Sequence, residues 1–155
     1  MHPNGDLLER LFTGLDQHDH EAMAACYHED ATFTDIAFDL RGKKQIQAMW
    51  HMISEGDIRA TFEIVNADGD SGQANIVDDY TLTSTGRSVR NQIDSRFRFQ
   101  DGVIIEQLDL CDAGAWAAMA LGGPIGFLAG QIRFLRSQKA GQILGAFIAE
   151  HPEYQ

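Results

Sequence analysis

The feature that most constrains this chain is its central third, where runs with strand character are separated by turn signals. Ile58 to Ala67 alternates through Thr61, Phe62, Ile64 and Val65, and Asp68-Gly-Asp-Ser-Gly72 reads as a turn. Ala74 to Ser84 is a second strand, Thr85-Gly86 a hairpin turn, and Arg87 to Gln100 a third strand. Asp101-Gly102 is the strongest hairpin signal in the chain, and Val103 to Cys111 is the last strand. Three turns in succession between strands predict a curved antiparallel meander over 58–111.

The flanks read as helical. Residues 5–16 place Leu7, Leu8, Leu11, Phe12 and Leu15 on one stripe. Asp19 caps a second helix, which carries Met23, Ala24, Cys26 and Tyr27 and ends near His28. Ala31 to Asp35 is a short strand and Ile36 to Arg41 a loop. Gly42 leads into a third helix with Ile46, Met49, Trp50 and Ile53 on one face, ending at Gly56. Beyond Asp112 an Ala-rich helix with Trp116 and Met119 meets the break Gly122-Gly123-Pro124. Ile125, Leu128, Ile132 and Leu135 then recur at helical spacing, and Ile143, Leu144, Phe147 and Ile148 form a last piece. This tail has more apolar surface than a free tail could expose. It is expected to pack across the open end of the domain or on the outer sheet face. Three helices followed by a meander make an α+β domain with the helices on one sheet face.

Composition bounds the partners. The chain has 155 residues and a formal net charge of −11, from 23 acids against 12 Lys and Arg. That balance repels phosphate backbones and argues against nucleic acid. Arg41, Lys43 and Lys44, and Arg87, Arg90, Arg96 and Arg98, read as charge balancing on exposed faces. Cys26 and Cys111 show no paired spacing, which fits a reducing cytoplasm. The N-terminus lacks the basic and apolar regions of a signal peptide. Ala113 to Gly130 is uncharged but weakly hydrophobic and interrupted, so no membrane span is expected. The six histidines show no ligand spacing, and there is no glycine-rich phosphate loop or nucleophile elbow. Neither a metal nor a cofactor is expected.

Acids on apolar strands carry the chemistry. Asp35 ends the stretch Tyr27-His-Glu-Asp-Ala-Thr-Phe-Thr-Asp35, and Asp109 ends Phe97-Arg-Phe-Gln-Asp-Gly-Val-Ile-Ile-Glu-Gln-Leu-Asp109. A carboxylate set among apolar groups tends toward a raised pKa and suits general acid or base work. Strand alternation puts Gln107, Asp109 and Cys111 on one face, Asp78, Tyr80 and Leu82 on another, and Asn91, Ile93, Ser95, Phe97 and Phe99 on a third. The apolar members mark inner faces, where a polar residue must find a partner or a function. The competing roles are ordinary ones. Asp35 can accept backbone N–H bonds from the following loop, Asp109 can serve a salt bridge or a cap near Asp112, and a bulge would exchange Asp78 for Asp79. The candidate acid/base residues are Asp35, Asp109 and Asp78. Phe33, Trp50, Tyr80, Asn91, Ser95 and Gln107 are the candidate ligand-binding residues.

The order helix, helix, strand, helix and bent antiparallel sheet resembles the nuclear transport factor 2-like superfamily, and within it the SnoaL-like domains. Tyr27-His-Glu-Asp-Ala-Thr-Phe, Leu40-Arg-Gly-Lys, Thr85-Gly-Arg and Phe97-Arg-Phe-Gln-Asp-Gly-Val-Ile carry the resemblance. It covers roughly residues 6–121, so residues 1–155 form one SnoaL-like domain, with a core cone over 6–121 and a helical extension over 122–155. The fold implied is α+β, a cone-shaped, strongly bent antiparallel sheet with three N-terminal helices on its concave face. The superfamily holds ketosteroid isomerases, limonene epoxide hydrolases, polyketide cyclases, dehydratases and non-catalytic binding modules. Asp35 falls where the isomerases keep their general base, while their oxyanion-hole tyrosine falls at Leu11 and their oxyanion-hole aspartic acid at Ser95. Asp109 and Asp78 match the two aspartates of the epoxide hydrolases, with the linking arginine falling at Ile76. Asp109 also suits the floor aspartate of the cyclases. Two functions follow as expectations. One is a cofactor-free isomerase, cyclase, lyase or epoxide hydrolase acting on a small apolar carbonyl or epoxide compound. The other is a non-catalytic module that holds a hydrophobic ligand or serves as a dimeric interaction domain. A two-fold homodimer through the sheets is expected in either case.

Overall fold

The structure, a computed structural model, describes residues 2–122 and 133–155, with side chains from Ala140 onward in the second stretch. The helix α1 spans Pro3–Asp16. It starts two residues before the expected residue 5, because Pro3 fits the first helical position and the His2 side chain accepts from Asn4 N–H. Leu7, Leu8, Leu11, Phe12 and Leu15 are all buried. The helix α2 spans only His20–Ala24, with Asp19 capping it through Ala22 N–H.

The chain leaves α2 earlier than the sequence predicts. Strand β1 covers Tyr27–Thr34, so Tyr27 and His28 are extended. The expected loop after Asp35 holds a three-residue strand, β2 (Asp39–Arg41), paired antiparallel to β1 with Leu40 buried. Gly42, at φ 91°, turns the chain into α3 (Lys43–Ser54).

The meander is β3 (Arg59–Ala67), β4 (Ser71–Leu82), β5 (Arg87–Gln100) and β6 (Val103–Leu110), antiparallel throughout. The Gln100↔Val103 pair closes over Asp101 and Gly102, at φ 56° and 76°, the positive values a two-residue hairpin of matching twist requires. The turn at Thr85-Gly86 is wider, with Leu82 pairing Arg87. Bulges between Ile64 and Asn66 and between Arg98 and Phe99 bend the strands. The resulting six-stranded sheet is curved and unclosed, in the order β2-β1-β6-β5-β4-β3. It is mixed rather than wholly antiparallel, because β1 lies parallel to β6. That juxtaposition brings the two acid-bearing stretches side by side.

The α1 helix packs on β3 and β4, and α3 packs on β1 and β2. Gly72 on β4 permits the close approach of α1, since a Cβ there would sit 3.1 Å from Leu8 and Phe99. The outer sheet face carries the arginines, as expected. Arg90 pairs with Asp79 at 2.9 Å and Arg96 with Asp94 at 3.0 Å.

After β6, Asp112 caps α4 (Ala113–Leu121), which packs on β5. The helix ends at Gly122, φ 82°. Pro124, Ile125, Leu128 and Ile132 lie outside the described residues, as does the side chain of Leu135. The helix α5 (Arg133–Ala149) and a 3-10 turn at Pro152–Tyr154 follow. Leu144, Phe147 and Tyr154 join the main core, and this part of the tail packs on α3. Among the described residues, no helix is long and apolar enough to cross a membrane. Cys26 and Cys111 are not joined in a disulfide.

Candidate functional site

The inner face of the sheet gathers most of the polar residues the alternation singles out. Asp78, Ser95, Gln107 and Asp109 are buried among apolar side chains. Strand register explains why. Ser95 on β5 stands opposite Asp109 on β6, Phe97 opposite Gln107, and Asn91 opposite Asp78 on β4. The acids therefore flank the central strand on the same face. The Asp78/Asp79 question is resolved by partners. Asp79 turns outward to Arg90, and Asp78 is 9% exposed.

A chain of hydrogen bonds ends on Asp109. Trp50 Nε1 donates to the Tyr27 hydroxyl at 3.1 Å, and that hydroxyl donates to Gln107 Oε1 at 2.5 Å. Gln107 Nε2 donates to Asp109 Oδ1 at 3.0 Å, and Ser95 Oγ donates to the same oxygen at 2.5 Å. Each member holds the next in one orientation. Trp50 also packs edge-on against Phe33, at 5.6 Å between ring centroids.

Burial pushes the Asp109 carboxyl up to about 7, with the Asp35 and Asp94 charges adding to it, while the Ser95 and Gln107 bonds pull it down. Asp78 is likewise pushed up to about 7, by burial first and then by the charges of Asp109 and Asp79. Its Oδ1 is buried with no hydrogen-bond partner among the described residues. An unsatisfied buried carboxyl oxygen costs about 1–3 kcal/mol, which requires a role to explain it.

Asp35 stands differently. It is half-buried, and its Oδ1 accepts from Ala37 N–H at 2.8 Å and Phe38 N–H at 2.6 Å, the loop-organising role open to it from sequence. Its charge still reaches Asp109 and Tyr80. Tyr80 accepts from Trp116 Nε1 of α4 at 2.6 Å, and burial pushes its hydroxyl up to about 12. The carbonyl oxygens at the end of α4 accept from Thr85 Oγ1 (Ala120 O, 2.6 Å) and Arg87 Nε (Met119 O, 2.8 Å). Through Trp116, α4 is tied to the acid-bearing face.

Two contributors escaped the sequence reading of the site. Tyr27 sits at helical spacing after Met23 and Ala24, and Trp116 lies in a helix apolar on every side, so neither showed a polar role. Leu11 and Ile76, where the isomerase tyrosine and the hydrolase arginine would fall, are buried core residues. A cleft of about 620 Å³ lined by Glu9, Arg10, Thr13 and Cys26 runs along α1 and α2, and it contains none of the candidate residues. Among the described residues, His51, His151 and Glu153 form a group able to ligate a metal, and none of the three belongs to the acid network.

The model of the SnoaL-like domain family matches residues 8–107. The chain belongs to this family, and its fold is that of the nuclear transport factor 2-like superfamily. Solved structures agree on the fold. One is a hypothetical protein with a ketosteroid isomerase-like fold from Catenulispora acidiphila, in complex with trimethylamine. It is 14% identical, with a TM-score of 0.64, over 74% of this chain and 91% of that one. A candidate polyketide cyclase from Xanthomonas campestris is 19% identical, with a TM-score of 0.63, over 74% and 93% of the two chains. An LEH-like epoxide hydrolase from M. tuberculosis is 17% identical, with a TM-score of 0.60, over 84% and 92%. No curated protein matches in sequence.

Proposed function

We propose that the chain is a cofactor-free acid/base enzyme acting on a small, largely apolar carbonyl or epoxide compound. The observation that carries this is the two buried acids Asp78 and Asp109, both raised to about 7, with one Asp78 oxygen lacking a hydrogen-bond partner among the described residues. Two buried carboxyls whose proton affinities lie near ambient pH suit acid/base work, in which one donates while the other accepts. The roles follow from their partners. Ser95 and Gln107 stabilise the ionised form of Asp109, which makes it the base that removes a proton from carbon or water. Asp78 feels the charge of Asp109 and keeps its proton longer, so it delivers that proton to the substrate oxygen. Tyr80 accepts from Trp116, which leaves its own O–H to orient that oxygen. Asp35 supports the pair through its charge and its loop, and Phe33, Trp50 and Asn91 form the wall. We also propose a homodimer through the outer sheet face, where Val65 and Leu110 are 47% and 41% exposed.

The second reading is a module that binds a small molecule without turning it over. The trimethylamine complex of a structural neighbour favours it. A screen of ketones, epoxides and polyketide-like compounds separates the two, with turnover and affinity measured independently. Asp109→Asn keeps the shape and removes the acceptor, so turnover should fall about 10²–10⁴-fold with affinity little changed. Binding with no turnover in the wild type, or turnover unchanged in both Asp109→Asn and Asp78→Asn, overturns the catalytic assignment.

A further inference from the structure

A second cluster of side chains stands where α3 meets the C-terminal turn. One donor atom from each of His51, His151 and Glu153 lies within 4.8 Å of the others. His51 and His151 are 100 residues apart in sequence (151 − 51), which is why no spacing motif marked them. We propose that these three residues bind a zinc-class divalent transition metal that fastens the C-terminal turn to α3.

The ring hydrogen bonds point the same way. His151 Nδ1 lies 2.7 Å from the Phe147 carbonyl oxygen, which only accepts, so Nδ1 carries the proton and Nε2 keeps its lone pair. His51 Nδ1 lies 2.9 Å from the Tyr154 hydroxyl, which leaves its Nε2 for the metal. A histidine ligand held through its other nitrogen by a carbonyl or hydroxyl is the arrangement that orients metal-binding imidazoles. Both rings are fixed from the side as well. His20 stacks on His51 and Phe147 on His151, each at 3.9 Å between centroids.

The donor set fits the metal class. Two imidazoles and a carboxylate suit zinc, nickel or cobalt, whereas magnesium prefers oxygen ligands and its own waters. Glu55, 3.6 Å from His51 Nε2, is within reach of a fourth position. Tetrahedral bonds of about 2.0–2.1 Å require the donors to draw closer than they now stand. Glu153 is exposed and can move to allow this, and its exposure leaves a path of entry. Trp50, the neighbour of His51, faces Tyr27 and Phe33, while His51 faces Phe147 and Tyr154. Since α3 turns about 100° between adjacent residues, the metal site lies on another face of the helix from the acid network. His151 and Glu153 lie beyond the matched family region and His51 within it, so the site joins this chain's extension to the family core.

The test uses the untagged full chain, stripped with EDTA and titrated calorimetrically with Zn²⁺. The same titration is run with Co²⁺ under visible absorption. The expected result is one metal per chain with micromolar or tighter affinity, a cobalt spectrum of tetrahedral intensity, and no displacement by excess Mg²⁺. Glu153→Gln and His151→Gln should each weaken Zn²⁺ binding by about tenfold or more. Because Glu153 is exposed, Glu153→Gln should keep the far-UV circular dichroism of the wild type, which guards the test against misfolding of the His151 variant. Absence of saturable one-to-one binding overturns the proposal, as does an affinity unchanged in both variants.

Discussion

Replacing Asp78 by Asn should flatten the dependence of stability on pH. The Asp78 carboxyl is raised from 3.8 to about 7 in the folded state, chiefly by burial. In the unfolded chain it returns to its ordinary value. The folded state therefore binds this proton more tightly between those two values. Its contribution to stability is fully present below about pH 4 and is lost as pH rises through about 7. At about 1.4 kcal/mol per pH unit, the loss between pH 5 and pH 8 is roughly 2–3 kcal/mol. Asp109, raised by the same cause, loses a similar amount over the same window. Asp78→Asn removes one of the two losses. The buried amide needs partners of its own, but that cost does not depend on pH and cancels in the comparison. Urea denaturation of wild type and variant at pH 5 and pH 8 gives the four free energies. The wild type should lose at least 2 kcal/mol more than the variant across that interval, by the linkage relation. Equal losses in the two proteins would show that Asp78 titrates as an ordinary carboxylate, and the argument from burial would fail.

Other outcomes follow from single contacts. Ser95→Ala removes a donor that favours ionised Asp109, so the apparent pKa of that carboxyl should rise from its value of about 7, read from the pH dependence of stability or turnover. Tyr27→Phe strands Trp50 Nε1 and Gln107 Oε1 in the core, and urea denaturation should show a loss of about 1–3 kcal/mol. Gly102→Ala places a side chain at φ 76° in the β5–β6 hairpin, and should cost about 1 kcal/mol in the same assay. Trp116→Phe removes the hydrogen bond from α4 to the Tyr80 hydroxyl, and urea denaturation should show a loss of about 1 kcal/mol.

The parts of the fold that were legible in the sequence were those encoded by local chemistry. Asp101-Gly102 fixed a hairpin because few residue pairs accept positive φ twice. The apolar stripe of α1 was visible because Leu7, Leu8, Leu11, Phe12 and Leu15 all point one way. Alternation placed Asp78, Ser95, Gln107 and Asp109 on inner faces, where they are buried. What depended on distant partners was hidden. Met23, Ala24, Cys26 and Tyr27 have helical spacing, yet the chain turns extended at Tyr27 because β1 pairs with β6, some eighty residues on. The strand β2 has three residues, too few to show a period. The different surroundings of Asp35 and of Asp78 and Asp109 were also illegible. Asp35 is held by two backbone N–H groups, whereas burial is the first cause of the shift in both Asp78 and Asp109.

The central claim is that Asp78 and Asp109 are near-neutral proton carriers inside the cone. The most direct test is a carbon-13 NMR titration of the aspartate side-chain carboxyls, with Asp78→Asn and Asp109→Asn used to assign the two signals. Two carboxyls should titrate near pH 7, and each should disappear in its own variant. If every aspartate titrates within about one unit of 3.9, the ordinary value for this side chain, the buried pair is not the site of proton transfer.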